Sequence, residues 1–154
     1  MRSLLAFGLL VVFAGCTTTM PAPSEDLEVR ALIETPGVAR DDLSVKTIAW
    51  LLDKLPSAKF TLRDEDKTRV VTGTGRTEFT GKNGALIPCD YTLTIEIEDG
   101  QERLTFDNWI GQWGDLKDKP EPITDDRYAA QVRAKLRALA NGLESYLKAS
   151  GTRR

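Results

Sequence analysis

Hydrophobic and polar positions alternate most cleanly between residues 87 and 98. Ile87, Cys89, Tyr91, Leu93, Ile95 and Ile97 fall on one side, and Pro88, Asp90, Thr92, Thr94, Glu96 and Glu98 on the other. A period of two predicts a strand with one buried face. Asp99-Gly100 then predicts a two-residue hairpin turn of type I′. Such a loop sets the register of the returning strand. It places Glu98 opposite Gln101, Ile95 opposite Leu104, Leu93 opposite Phe106 and Cys89 opposite Ile110. On the reverse side Glu96 meets Arg103 and Thr94 meets Thr105. Apolar meets apolar and acid meets base, although the turn alone chose the alignment.

Weaker patterns surround this hairpin. Leu27, Val29, Ala31 and Ile33 alternate with Glu28, Arg30 and Glu34, which predicts a half-buried strand; Leu32 breaks its polar side. Thr35-Pro36-Gly37 ends it. Asp41 or Asp42 is the expected N-cap of a helix whose apolar stripe is Val45, Ile48, Ala49, Leu52 and Leu55, with Trp50 and Leu51 near its margin. Pro56 closes that helix. Residues 58–63 predict a short strand carrying Phe60 and Leu62, and Asp64-Glu65-Asp66 a turn. Residues 68–80 predict a longer strand. Gly73 and Gly75 share a side with Val71 and Phe79, where missing side chains permit a close approach or a bend. Residues 114–122 read as a polar connection. Thr124 or Asp125 then caps a long last helix with its stripe at Tyr128, Val132, Leu136, Leu139, Leu143 and Tyr146 or Leu147. Its basic residues lie mostly off that stripe and read as a solvated face. The order strand, helix, four strands, helix predicts an α+β fold: an antiparallel β-sheet with two helices packed on one face.

The amino terminus is built differently. Residues 4–16 read LLAFGLLVVFAGC, behind a single positive charge at Arg2. Charged start, short apolar middle and small residues before a cysteine are the layout of a signal peptide, and the cysteine makes it resemble a bacterial lipobox. Phe13 departs from the leucine usual three residues before such a cysteine. The expected organisation is a signal peptide over 1–15, a lipidated Cys16 (palmitate among its acyl chains) opening a flexible tether over 16–26, one domain over 27–148, and a tail over 149–154. The tether, TTTMPAPSED after Cys16, is rich in Thr, Pro and Ser. Thr17 occupies the position where inner-membrane lipoproteins of many bacteria carry Asp. The expected location is therefore the cell envelope, on the periplasmic face of the outer membrane.

Composition narrows the chemistry. Cleavage before Cys16 removes 15 of the 154 residues and leaves 139, enough for one real core. The mature chain keeps 20 basic and 23 acidic side chains, so its charge offers nucleic acid no attraction. Of the two cysteines, lipidation of Cys16 leaves Cys89 without a disulfide partner, and Cys89 reads as a small buried apolar residue. The chain has no histidine. That removes Ser-His-Asp and Cys-His systems and His-ligated zinc. Thr72-Gly73-Thr74-Gly75 lacks the third glycine of a dinucleotide loop. Asp64-Glu65-Asp66 lacks EF-hand spacing. No cofactor, metal or catalytic residue is expected.

Pro36-Gly37, Trp50-Leu51, residues 66–75 (DKTRVVTGTG) and residues 91–107 (YTLTIEIEDGQERLTFD) together resemble an uncharacterised bacterial family with a TBP-like (TATA-binding-protein-like) fold, often found in lipoproteins. The likeness spans residues 27–148. It implies a fold and no established activity. Helix-grip domains of envelope assembly lipoproteins share the general architecture, which is analogy.

If the helices cover the Leu93/Leu104/Phe106 side, the opposite sheet face presents Asp90, Thr92, Thr94, Arg103, Thr105, Asp107, Trp109 and Trp113. Two tryptophans on a polar face suggest a surface for a peptide, glycan or lipid group. The alternative is that residues 114–122 or the first strand cover both rings. The sequence thus points to a lipid-anchored, non-enzymatic binding or assembly module facing an envelope protein or small ligand. An envelope hydrolase using paired carboxylates is the runner-up. A deep pocket with two carboxylates of raised pKa would favour the hydrolase. The sequence sets no oligomeric state.

Overall fold

Every strand pairing expected of the central hairpin between Leu93 and Glu98 is present, and the rest of the sheet is built outward from it. The computed structural model describes residues 27–113 and 119–151. The signal peptide, Cys16, the tether, residues 114–118 and residues 152–154 lie outside the described residues. The elements are β1 (Val29–Glu34), α1 (Arg40–Lys54), β2 (Phe60–Glu65), β3 (Thr68–Thr80), β4 (Leu86–Glu98), β5 (Gln101–Trp113), β6 (Lys119–Pro122) and α2 (Asp126–Gly151). The sheet order is β1-β5-β4-β3-β2, antiparallel throughout, with β6 also on β5. Five strands, not four, therefore separate the helices. The extra one is β6, in the stretch read from sequence as a polar connection. Two prolines and alternating charges hide it, yet it pairs with residues 110–113 of β5 as an edge strand, the place where Pro is tolerated.

Both helices lie on one face. That face buries Val29 and Ile33 of β1, Val71 and Phe79 of β3, Cys89 to Ile97 at alternate positions of β4, and Leu104 and Phe106 of β5. α2 follows its sequence pattern: Val132, Leu136, Leu143 and Leu147 are buried, with Ala129 and Ala140 completing the stripe. Asp125 caps it, accepting the Arg127 backbone N–H at 3.0 Å. The helix runs through Gly151, three residues past the expected domain limit.

α1 departs from its pattern. Leu43, Ser44, Thr47, Trp50 and Leu51 are buried, whereas Val45 (68%) and Leu52 (54%) are exposed. The helix is turned so that two hydroxyls face inward. Ser44 Oγ accepts a hydrogen bond from Arg69 Nη1 at 2.8 Å, and Thr47 Oγ1 donates to the buried carboxylate of Glu102. Trp50 meanwhile lies against Gly142 of α2. Buried polar groups with partners cost little, so they outvote the apolar stripe.

Neither Asp41 nor Asp42 caps α1. The N-cap is Ala39, whose side chain cannot help, and Asp99 Oδ1 from the β4–β5 turn accepts the Arg40 N–H at 2.8 Å. The same turn is tied down by Thr35 N–H to Gly100 O at 2.8 Å and Gly100 N–H to Val38 O at 2.9 Å. Its geometry is not type I′: Gly100 has φ 79°, but Asp99 is absent from the positive-φ residues, and I′ needs both. Asp64 and Glu65, read as a turn, extend β2; the turn is Asp66-Lys67, with Asp66 at φ 48°. On β3 the space over Gly73 is filled by the Phe60 ring and that over Gly75 by the Tyr91 ring, so aromatic neighbours rather than a helix occupy the missing side chains.

Candidate functional site

The face of the sheet away from the helices carries the outward side chains of every strand. Rows across it follow directly from the register. Thr72, Thr94, Thr105 and Arg30 form one row, and Thr74, Thr92 and Asp107 the next. Val70, Glu96, Arg103 and Leu32 flank them on one side, and Arg76 with Asp90 on the other. Five threonines thus sit on neighbouring strands. Val and Thr suit strands because a branched Cβ packs on a pleated surface, and Thr leaves a hydroxyl on the wet side.

Ion pairs bound this patch. Arg76 holds Asp90 through Nε at 2.6 Å and Nη2 at 3.1 Å, and Gln112 Nε2 donates to the same carboxylate at 3.1 Å. The Arg76 guanidinium holds the Asp90 carboxyl below its usual range, with Gln112 adding to the effect. Arg103 Nη1 meets Glu96 Oε2 at 2.8 Å. Asp107 moves the other way: partial burial raises its pKa, and the neighbouring Glu28 charge adds to the rise.

Of the residues singled out from sequence, Asp90, Thr92, Arg103 and Asp107 do share this face. Trp109 and Trp113 do not. A β-bulge between Asp90 and Thr92 sets Tyr91 against two residues of β5, with Asn108 at φ 51°. The extra residue reverses the facing of everything after it. Cys89 consequently pairs with Gly111 instead of Ile110, and Trp109 turns inward, 2% exposed. Trp113 lies edge-on to Phe79 at 5.3 Å and against Tyr128 at 5.6 Å, part of an aromatic cluster under α2. Trp109 is core, and Trp113 is half-buried against that core. The visible signal was Asp107-Asn108, two adjacent polar residues where alternation demanded one, with Asn able to take positive φ.

Three groups on the helix face are perturbed by burial. Cys89, free and buried, has its thiol pushed up to about 12, chiefly by desolvation. It is an inert core residue, as the sequence suggested. Tyr91 is likewise raised to about 12 by burial. Glu102, fully buried between Ile33 and Ile97, is raised to about 7 by desolvation, with the Thr47 hydroxyl opposing. Its second oxygen, Oε2, has no partner among the described residues. Glu102 was not singled out from sequence, although the two-residue period that turns Leu104 and Phe106 inward also sets Glu102 on that side opposite Ile97. No group of three or more metal-ligating side chains occurs among the described residues, and no helix among them is long and apolar enough to cross a membrane.

Among the solved structures similar to this one are two of low sequence identity. A TBP-like protein from Parabacteroides distasonis matches with a TM-score of 0.62 and 12% identity, over 79% of this chain and 92% of that one. A DUF4468 family protein from Bacteroides ovatus matches with a TM-score of 0.56 and 13% identity, over 82% of this chain and 86% of that one. The chain has a TBP-like fold. At such identities the likeness concerns the fold alone. No protein-family profile and no curated protein matches the sequence.

Proposed function

We propose that this protein is a lipid-anchored lipoprotein of the cell envelope that binds a partner through the uncovered face of its sheet, without catalysis. The observation that carries this reading is the threonine patch of Thr72, Thr74, Thr92, Thr94 and Thr105, bounded by the Arg76–Asp90 and Arg103–Glu96 pairs. Hydroxyls repeated at strand spacing offer paired donors and acceptors without a buried charge, which suits a polar polypeptide or glycan surface. The sequence of residues 4–16 supports the anchor, through acylation of Cys16. Anchoring raises the effective concentration of the domain beside envelope partners.

The test is crosslinking and pull-down of the acylated full chain from its own membranes. One stoichiometric envelope component is expected with the native protein and its loss with Thr94→Arg plus Thr105→Arg. Recovery unaffected by those substitutions would reject the face. Cys16→Ser is expected to abolish incorporation of a palmitate analogue and release the chain from the membrane. A hydrolase reading draws support from Asp107, whose pKa is raised by partial burial and by the Glu28 charge. Asp107→Asn would abolish turnover on that reading.

A further inference from the structure

The two edges of the sheet are finished unequally. On the β5 side, β1 pairs with residues 101–106 and β6 with residues 110–113. On the β3 side, β2 pairs only with residues 68–73. Among the described residues no strand accompanies residues 74–80 of β3 on that side.

The direction of the unpaired backbone groups follows from the hairpin. Glu65 and Thr68 close the two-residue Asp66-Lys67 turn, so the N–H and C=O of Thr68 point toward β2. Pairing with β4 runs from Arg69 to Thr80 without a shift, so every second residue points the same way: Val70, Thr72, Thr74, Arg76, Glu78 and Thr80. Two observations at the far end agree. Thr80 N–H donates to Gln131 Oε1 at 2.9 Å and Thr80 O accepts from Gln131 Nε2 at 3.2 Å, while the Gly81 N–H turns back to Ala85 O. Gln131 therefore caps Thr80 and leaves Thr74, Arg76 and Glu78 directed at open space. A groove of about 610 Å³ runs beside Thr74 and Arg76, walled on the other side by Lys54, Leu55, Pro56 and Ala58.

We infer that this edge is a self-association site, in which β3 of a second copy pairs antiparallel with residues 76–78 about a twofold axis at Thr77. Charge chooses the register. With Thr77 on the axis, Arg76 lies opposite Glu78 of the second copy and Glu78 opposite its Arg76. Both are outward-directed residues, so both make complete ladder pairs. Moving the axis one residue back, to Arg76, sets two guanidinium groups against each other. Arg76 is already held flat on the outer face by Asp90, and its remaining N–H donors are free to meet a carboxylate. Glu78 has only a long contact to Lys135 at 3.9 Å. Four main-chain hydrogen bonds and two symmetric ion pairs would join the sheets into one continuous sheet, the strand-addition mode of recognition. The inference needs no lipid anchor and stands apart from the reading of the outer face.

Sedimentation of the detergent-solubilised full chain over a concentration series tests it. The native chain is expected to dimerise. Arg76→Glu, and separately Glu78→Arg, should each weaken the dimer by roughly tenfold or more, since like charges then face each other twice. The double variant Arg76→Glu plus Glu78→Arg should restore it. Circular dichroism of each variant reports folding, and Glu78→Arg, which leaves the Asp90 pair untouched, is the variant least exposed to misfolding. A native chain that stays monomeric throughout, or a dimer indifferent to either charge reversal, would overturn the proposal. So would a monomer that captures an unrelated extended peptide at this edge.

Discussion

The two helices of this domain pack against the same sheet face, and their sequences announce that face with very different fidelity. α2 buries Val132, Leu136, Leu143 and Leu147, the residues its periodicity selects. α1 buries Ser44 and Thr47 and exposes Val45 and Leu52, while Ile48 and Leu55 of its apolar stripe pack half-buried against the core. The difference lies in what each helix covers. α2 rests on an apolar surface, so hydrophobicity alone orients it. α1 rests on a strip that includes Glu102 and Arg69, and hydrogen bonds to Thr47 and Ser44 decide its rotation. Apolar periodicity is a sound guide where the core is apolar and misleads where the core holds hydrogen-bonded polar side chains.

That contrast can be broken or sharpened by substitution. Leu143→Ala, under α2, is expected to have the largest effect, about 2–5 kcal/mol of stability from lost burial and a cavity; urea unfolding measures it. Under α1 the expected signature is pH. The folded pKa of Glu102, about 7, exceeds its ordinary 4.5 because burial disfavours the charged form. The folded state therefore binds the proton more tightly than the unfolded one. This contribution is fully present below pH 4.5 and is lost as pH rises through about 7, by on the order of 3 kcal/mol at most. Glu102→Gln should flatten that part of the stability–pH curve; an unchanged slope would show that Glu102 is not its source. Asp99→Ala, which removes the cap supplied to α1 by the β4–β5 turn, should cost about 1 kcal/mol and loosen hydrogen-exchange protection at the first turn of α1. Val45→Ser with Leu52→Lys comes last. Its expected change is within about 0.5 kcal/mol per site, whereas the stripe read from sequence would demand several times that.

β5 carries the same lesson in a single strand. Before Asn108, the hairpin register obtained from Asp99-Gly100 holds pair for pair. After Asn108 one additional residue inverts the faces, and Trp109 and Trp113 leave the candidate binding surface for the core. Asp90, Thr92, Arg103 and Asp107 were legible as one face because the extra residue lies on β5 after Asp107 and leaves the alternation of β4 intact. Thr72 and Thr74 of β3 were read as strand residues but not joined to that face. Strand-to-strand pairing is a long-range fact, and the length of the Gly81–Ala85 loop does not state it.

By itself the sequence determined the number and kind of the long elements, the β4–β5 hairpin up to Phe106, the buried side of α2, and Cys89 as an inert core thiol. These follow from local periodicity, turn chemistry and residue type, which act over a few residues. Only the tertiary structure decided the rotation of α1, the capping of its amino terminus by Asp99, the pairing of Glu102 with Thr47, the inward turn of both tryptophans, β6, and the unfinished edge of β3. Each of those depends on a hydrogen bond or a register set by residues distant in the chain, and no local pattern encodes a partner that arrives only when the chain has folded.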